Sequence, residues 1–172
     1  MELKSSSPIV GDYLIDAGRS TIRFRTRALF GLLPVRGTFT IGRGTISVRD
    51  PLADSAVVVE IHTGSFTSGL RMRDRHVRAA DFLDAHTHPT MSFRGGPPDH
   101  GEALMALHGH LTVRGVGQPL SLTLLSVTST DTLLTADATV TIDRYAFGLT
   151  KGRGMAARYL RIAIEIVATR DT

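Results

Sequence analysis

The sequence predicts an all-β protein, an antiparallel eight-stranded β-barrel with a short helical insertion at about residues 70–83. Three observations predict it. Apolar and polar residues alternate with period two through six segments, the mark of strands with one buried face. Turn-forming clusters, DAGRS, IGRG, RDPLADS, GGPPDHGE, RGVGQP and TSTDT, punctuate those segments. Only the stretch from Leu70 to Leu83 departs from alternation, with Met72, His76, Ala79 or Ala80, and Leu83 at three-and-four spacing.

Taken in order, GDYLID gives a first short strand. In STIRFRTRAL, Ile22, Phe24, Thr26 and Ala28 share one face and Arg23, Arg25 and Arg27 the other. VRGTFTI and GTISV read as two short strands around the IGRG signal. In SAVVVEIH, Val57, Val59 and Ile61 oppose Val58, Glu60 and His62. The helical stretch follows, and PTMSFRG resumes the strands, with Pro89 stopping the helix. In LMALHGHLTVRG, Met105, Leu107, Gly109, Leu111 and Val113 oppose His108, His110, Thr112 and Arg114. Leu120, Leu122 and Leu124 align next, then Ala136, Ala138, Val140 and Ile142, then Leu160, Ile162, Ile164 and Ile166.

Many short antiparallel strands in one domain build either a sandwich or a barrel. Hairpin-sized connections favour an up-and-down meander, and closure removes its exposed edges. An eight-stranded barrel is either filled by its own side chains or just able to hold one small ligand. Ala28, Gly109, Ala136 and Ala138 on the proposed inner faces leave room for one, although small residues alternating with large ones also fill a taper.

Composition narrows the function classes. The 172 residues suit one domain, a tail over 1–10 and a barrel over 11–170. Hydrophobic residues at 42% and charged residues at 21% describe a globular chain rather than a disordered one. No stretch approaches the roughly 20 apolar residues of a membrane-spanning helix. The N-terminus shows no secretory pattern, which gives a cytoplasmic expectation. Cysteine is absent, which removes disulfides and thiolate metal sites. The net charge of +4 is carried almost wholly by arginine, and no aromatic residues interleave with Arg23 and Arg25 to stack bases, so no nucleic-acid partner is expected.

The segment from Arg73 to Phe93 concentrates His76, His86, His88, Asp74, Asp81 and Asp84. His86 and His88 could share a metal on one strand face, but no HExxH spacing supplies a third ligand. The structural reading is simpler. Asp74 suits the first turn of a helix, His76 lies on its inward face, and Phe82 and Leu83 plug the core. His108 and His110 fall on the polar face of their strand, and no GxSxG elbow is present. KGRG, residues 151–154, reads as an exposed glycine-rich loop.

Five segments, in order, resemble the YceI-like family of lipid-binding barrels. YLID with STIRF is similar to its first hairpin, and VRGTF to its second-strand motif. RDRHVRAADFLD with HPTMSF is similar to its arginine-aspartate-x-histidine helix and the strand after it. GHLTVRGVGQPL resembles the GxLTxRGxxxP signature, and IDRYAFGL the late segment ending in phenylalanine-glycine. The resemblance implies an extended, lipocalin-like barrel whose apolar tunnel accepts a long isoprenoid or similar amphipathic lipid, without catalytic residues.

The expected ligand-binding residues are Phe24, Phe39, Phe66, Met72, Phe82, Met91, Phe93, Leu111 and Phe147, large soft side chains suited to a tunnel wall. Arg25, Arg36, Arg73 and Arg114 are placed at a mouth, where guanidinium groups would orient a head group. The expected function is to sequester or carry a polyisoprenoid, isoprenoid quinone or fatty acyl derivative. No cofactor, catalytic residue or metal is expected beyond the lipid ligand. Membrane contact is expected to be peripheral and transient, and a homodimer is open. The alternatives are a metal-assisted enzyme at residues 74–88 and a ligand-free interaction module with a filled interior.

Overall fold

In the computed structural model, which describes residues 7–98 and 106–172, the strands form one antiparallel sheet that closes on itself. They are β1 (Gly11–Ile15), β2 (Thr21–Ala28), β3 (Leu33–Val48), β4 (Ala56–Thr67), β5 (Thr90–Gly96), β6 (Ala106–Val113), β7 (Val116–Ser129), β8 (Leu133–Asp143) and β9 (Tyr159–Arg170). Among the described residues a single α-helix, α1 (Arg71–Arg78), lies between β4 and β5. From β2 to β9 each strand pairs with the next, and β9 pairs back onto β2, so the wall has eight positions.

Nine strands fill eight positions because β1 and β2 share one. Both run antiparallel to β3, β1 against 45–48 and β2 against 33–39, and both also pair with β9. YLID and STIRF therefore form one interrupted stave, not the expected hairpin. The interruption is stitched by Ser20, whose hydroxyl accepts from the Val167 N–H at 3.0 Å and donates to the Val167 carbonyl at 3.2 Å. A serine there replaces the ladder bonds that the kinked backbone cannot make.

IGRG does not turn the chain either. VRGTFTI and GTISV are continuous in the 16-residue β3. The register against β4 shifts between Ile41 and Arg43, a bulge that flips the alternation. Val35 and Ile41 are buried before it on odd positions, Val48 after it on an even one. By contrast the β6–β7 connection is a two-residue hairpin. Arg114 and Gly115 both take positive φ, 52° and 75°, the conformation such turns require.

Inside, the alternation holds as expected for β2, β4 and β6 to β9. Met105 lies outside the described residues. Near one end three phenylalanines pack together. Phe24 stacks on Phe66 with centroids 5.0 Å apart, and Phe39 meets Phe66 edge-on at 5.4 Å. Gly37, opposite Phe24 in the ladder, makes this possible, because a Cβ there would run into the Phe24 ring and the Thr67 carbonyl.

The helix is shorter than expected and turned differently. It ends at Arg78, well before Pro89, and a run of turns follows, including Phe82 N–H to the Ala79 carbonyl and His88 N–H to the Asp84 carbonyl. Met72 and His76 point outward, and Asp74 is the buried residue. The reason is that polar groups, not an apolar stripe, dock α1. The Asp74 carboxylate accepts from the Ser68 N–H at 2.9 Å, the Ser68 hydroxyl, and the Thr67 hydroxyl at 3.3 Å. Arg78 clasps the Phe66 carbonyl through Nε at 2.9 Å and a second guanidinium nitrogen. Asp74 thus grips the end of β4 rather than the helix's own N–H groups. Leu83 reaches the core as expected, while Phe82 is half-buried against the His76 ring.

Burial by itself would raise the Asp74 pKa, but the Ser68 and Thr67 hydrogen bonds and the nearby Arg78 charge outweigh it and hold the carboxyl below its ordinary 3.8. A carboxyl that binds its proton less tightly folded than unfolded stabilises the fold above that value and loses the contribution as pH falls through the lower folded value. Asp74→Asn should lower unfolding stability by about 1–3 kcal/mol at pH 7. The gap to the parent should narrow in urea titrations below about pH 4. Gly37→Val should displace the Phe24 ring and cost about 1–3 kcal/mol, read as a fall in melting temperature.

Candidate functional site: an apolar cavity inside the barrel

The inward rows do not meet in the middle. They enclose a cavity of about 200 Å³ lined by 28 residues, of which only Arg144 is polar. A water's share of the liquid is about 30 Å³, so the interior holds on the order of seven waters' worth of space and is not a filled core. The lining runs along β8 from Ala136 to Ile142 and along β9 from Leu160 to Ile166. Six residue steps of tilted strand give a length on the order of 15 Å. Ala136 and Ala138 supply room where neighbouring positions carry isoleucine or leucine.

Of the expected ligand residues, Phe39, Met91, Phe93, Leu111 and Phe147 line this cavity. Phe24 and Phe66 are buried but sit behind the lining, in the aromatic stack. Phe82 lies outside it, and Met72 is 80% exposed on the outer face of α1. Most of the wall is instead aliphatic. The rows Leu120–Leu122–Leu124 and Ile162–Ile164–Ile166 already stood out by alternation, but aliphatic residues carry no mark that separates a tunnel wall from a packed core.

At one end the cavity is capped by Leu83, Phe147 and Leu149. The cap hangs on Arg144, 5% exposed, which opens a 3₁₀ turn (Arg144–Phe147) after β8. Its Nε donates to the Ala157 carbonyl at 2.8 Å, and its terminal nitrogens donate to the carbonyls of Lys151 (2.8 Å), Ala156 (2.9 Å) and Leu149. One guanidinium therefore gathers the segment 149–157 across the barrel end and turns Phe147 and Leu149 inward. Burial pushes its pKa down, yet the backbone carbonyls solvate the charge. The neighbouring Asp143 bonds Arg158 instead, at 2.8 and 2.9 Å. KGRG is thus part of an anchored loop, since the Lys151 carbonyl is one of the four acceptors. Nothing in IDRYAFGL separates a buried arginine from a surface one.

The other polar candidates are not gathered at the cavity. Arg25 and Arg36 face each other on the outer surface. Arg73 donates to the Ser68 hydroxyl at 2.8 Å and Arg114 to the Phe82 carbonyl at 3.1 Å, so both brace the cap rather than stand at a mouth. His108 and His110 are exposed, as expected, with His108 bonded to Ser121 at 2.8 Å. Among the described residues no three His, Asp or Glu side chains converge as a metal site. The carboxylates held below their usual range on the outer surface, Asp12, Glu60 and Asp143, are each hydrogen-bonded to an arginine, Arg49, Arg43 and Arg158.

A sequence model described as the YceI-like domain matches residues 13–168. The chain belongs to the YceI-like family. Among curated relatives, UPF0312 proteins of Vibrio cholerae are 35% identical over 114 residues, covering 63% of this chain and 59% of theirs. A UPF0312 protein of Azotobacter vinelandii is 32% identical over 123 residues, covering 69% of this chain and 63% of its own. The matched region thus spans about three fifths of those relatives' length. Two solved structures share the fold. BcnA of Burkholderia cenocepacia aligns with a TM-score of 0.76 at 22% identity, over 90% of this chain and 99% of its own. A domain from Saccharophagus degradans described as polyisoprenoid binding aligns at 0.73 and 13% identity, over 92% and 98%.

Arg144→Met keeps the side chain's length but strands four carbonyls. It should destabilise this YceI-like barrel by about 3 kcal/mol. Hydrogen exchange should show lost protection concentrated in residues 149–157.

Proposed function

We propose that this YceI-like barrel binds a long-chain amphipathic lipid in its cavity and releases it chemically unchanged. A polyisoprenoid, an isoprenoid quinone or a fatty acyl derivative fits the reading. One observation carries it: a closed wall whose cavity lining is apolar at 27 of 28 residues. An apolar chain that loses roughly 400 Å² of surface to such a wall gains about 10 kcal/mol before ordering costs. Pockets of this kind use a few polar groups to set orientation. Arg144 at the cap supplies one.

The enzyme alternative finds less support. General acid–base work needs a titratable group within reach of the reacting atom, and among the described residues no Asp, Glu or His lines the cavity. The filled-module alternative requires a packed interior, and the cavity counts against it.

Native mass spectrometry of gently purified protein, followed by organic extraction, tests the proposal. A stoichiometric adduct that extracts as an isoprenoid or acyl lipid is the expected result. Ala138→Phe should fill the cavity, leave the melting temperature equal or higher, and weaken uptake at least tenfold. Protein that stays empty when such lipids are offered, or an Ala138→Phe variant that takes them up unchanged, would overturn the reading.

A further inference from the structure

Resting on the lipid-binding reading, we propose that the capped end of the barrel is a docking face for an anionic lipid bilayer, with the β2–β3 tip as its insertion element. From Ala28 to Val35 the chain, ALFGLLPV, has no polar side chain. Its tip is not tucked into the core. Phe30 is 82% exposed and Leu32 77%, with Leu33 and Met155 beside them near half exposure. Exposed aromatic and aliphatic groups clustered in one place need a partner phase.

The tip is also held in its outward pose. Leu29 and Phe30 both take left-handed φ, 49° and 56°, which bulky residues rarely adopt. The Leu29 N–H donates to the Met155 carbonyl at 2.9 Å and the Phe30 N–H to Gly154 at 2.7 Å. Arg27 braces the Gly31 carbonyl at 3.1 Å. The Phe30 ring lies over Gly154, where a Cβ would approach it to 2.6 Å. The apolar tip therefore presents itself without having to unfold.

Charge selects the partner. The segments that form this end, 25–36, 67–90, 113–118 and 143–161, carry thirteen of the chain's twenty Lys and Arg but four of its sixteen Asp and Glu. Of those four, Asp74 is buried and Asp143 is paired with Arg158. Arg25, Arg27, Arg36, Arg71, Lys151 and Arg153 are exposed. Two copies meeting through this end would bring like charges together, which opposes self-association there. A flat surface with negative head groups over an apolar interior matches both the basic collar and the apolar tip. The cavity reaches the same end through Leu83, Phe147 and Leu149, so docking sets its cap against the lipid.

Flotation with phosphatidylglycerol–phosphatidylethanolamine vesicles, against phosphatidylcholine vesicles, tests the proposal. At about 0.15 M salt the parent protein should float with the anionic vesicles, and it should be released at about 1 M. Phe30→Ser with Leu32→Ser should lose at least tenfold in vesicle partitioning while its melting temperature and its uptake of lipid from detergent micelles stay unchanged. Lys151→Glu with Arg153→Glu should lose the preference for anionic vesicles. A parent protein that takes up lipid from micelles but ignores anionic vesicles overturns the docking face alone. So does a Phe30→Ser, Leu32→Ser variant that floats normally, or one whose only change is lost dimerisation in sedimentation. Flotation that persists without any lipid uptake supports the face and sinks the carrier reading instead.

Discussion

Closure of the sheet is the constraint on which the rest depends. Every strand has a neighbour on each side only because β3 is long enough to pair with β1 and β2 on one side and β4 on the other. An open sheet of this length would leave a row of unpaired backbone groups. Once the wall is closed, each strand has one face that sees no water, and the period-two rows become the lining of a single space. The bulge after Ile41 and the Ser20 stitch are among the adjustments that let an eight-position wall close with this chain, beside register shifts at Thr38–Thr40 and Leu124–Ser126.

A wall of this kind can tolerate an interior that is not filled. Backbone ladders, not central packing, carry the connectivity, so small residues such as Ala136 and Ala138 can leave space without parting the staves. The stacked Phe24 and Phe66 behind the lining, and the buried cluster around Tyr13 and Ala168, both 0% exposed, supply dense packing away from the cavity. The cap is built on a different principle. Asp74, Arg78 and Arg144 fasten it through hydrogen bonds to backbone and hydroxyl groups, which are directional and fix its pose. The chain thus separates a continuous apolar wall from a polar-latched lid of short segments. The same end carries most of the positive charge, so the cavity's cap and the molecule's most basic surface coincide.

What could be read beforehand was whatever repeats. Alternation assigned the inner rows of β2, β4 and β6 to β9, because one slipped residue would expose a whole row. A turn within RGVGQP was equally plain from its glycines, though Arg114 reads as a strand residue and only the structure puts the turn at Arg114 and Gly115. The single events were not legible. IGRG has the composition of a turn but acts as a bulge, and DAGRS joins two halves of one stave. In both cases the neighbouring strands β3 and β9 decide the geometry, not the local sequence. Helix α1 misled for a related reason: spacing suggested an apolar stripe through Met72, while three hydrogen bonds to Asp74 rotate the helix to bury a carboxylate.

By itself, then, the sequence determined the fold class, the identity of the inner faces and the family, because these follow from short-range periodicity and ordered motifs. Only the tertiary structure decided that the inner rows stand far enough apart to leave a cavity. It also decided that Arg144 is the residue holding its cap, and that Phe30 and Leu32 face outward among cations. Those are facts about distances between segments far apart in the chain, and no local pattern encodes how closely two distant side chains approach.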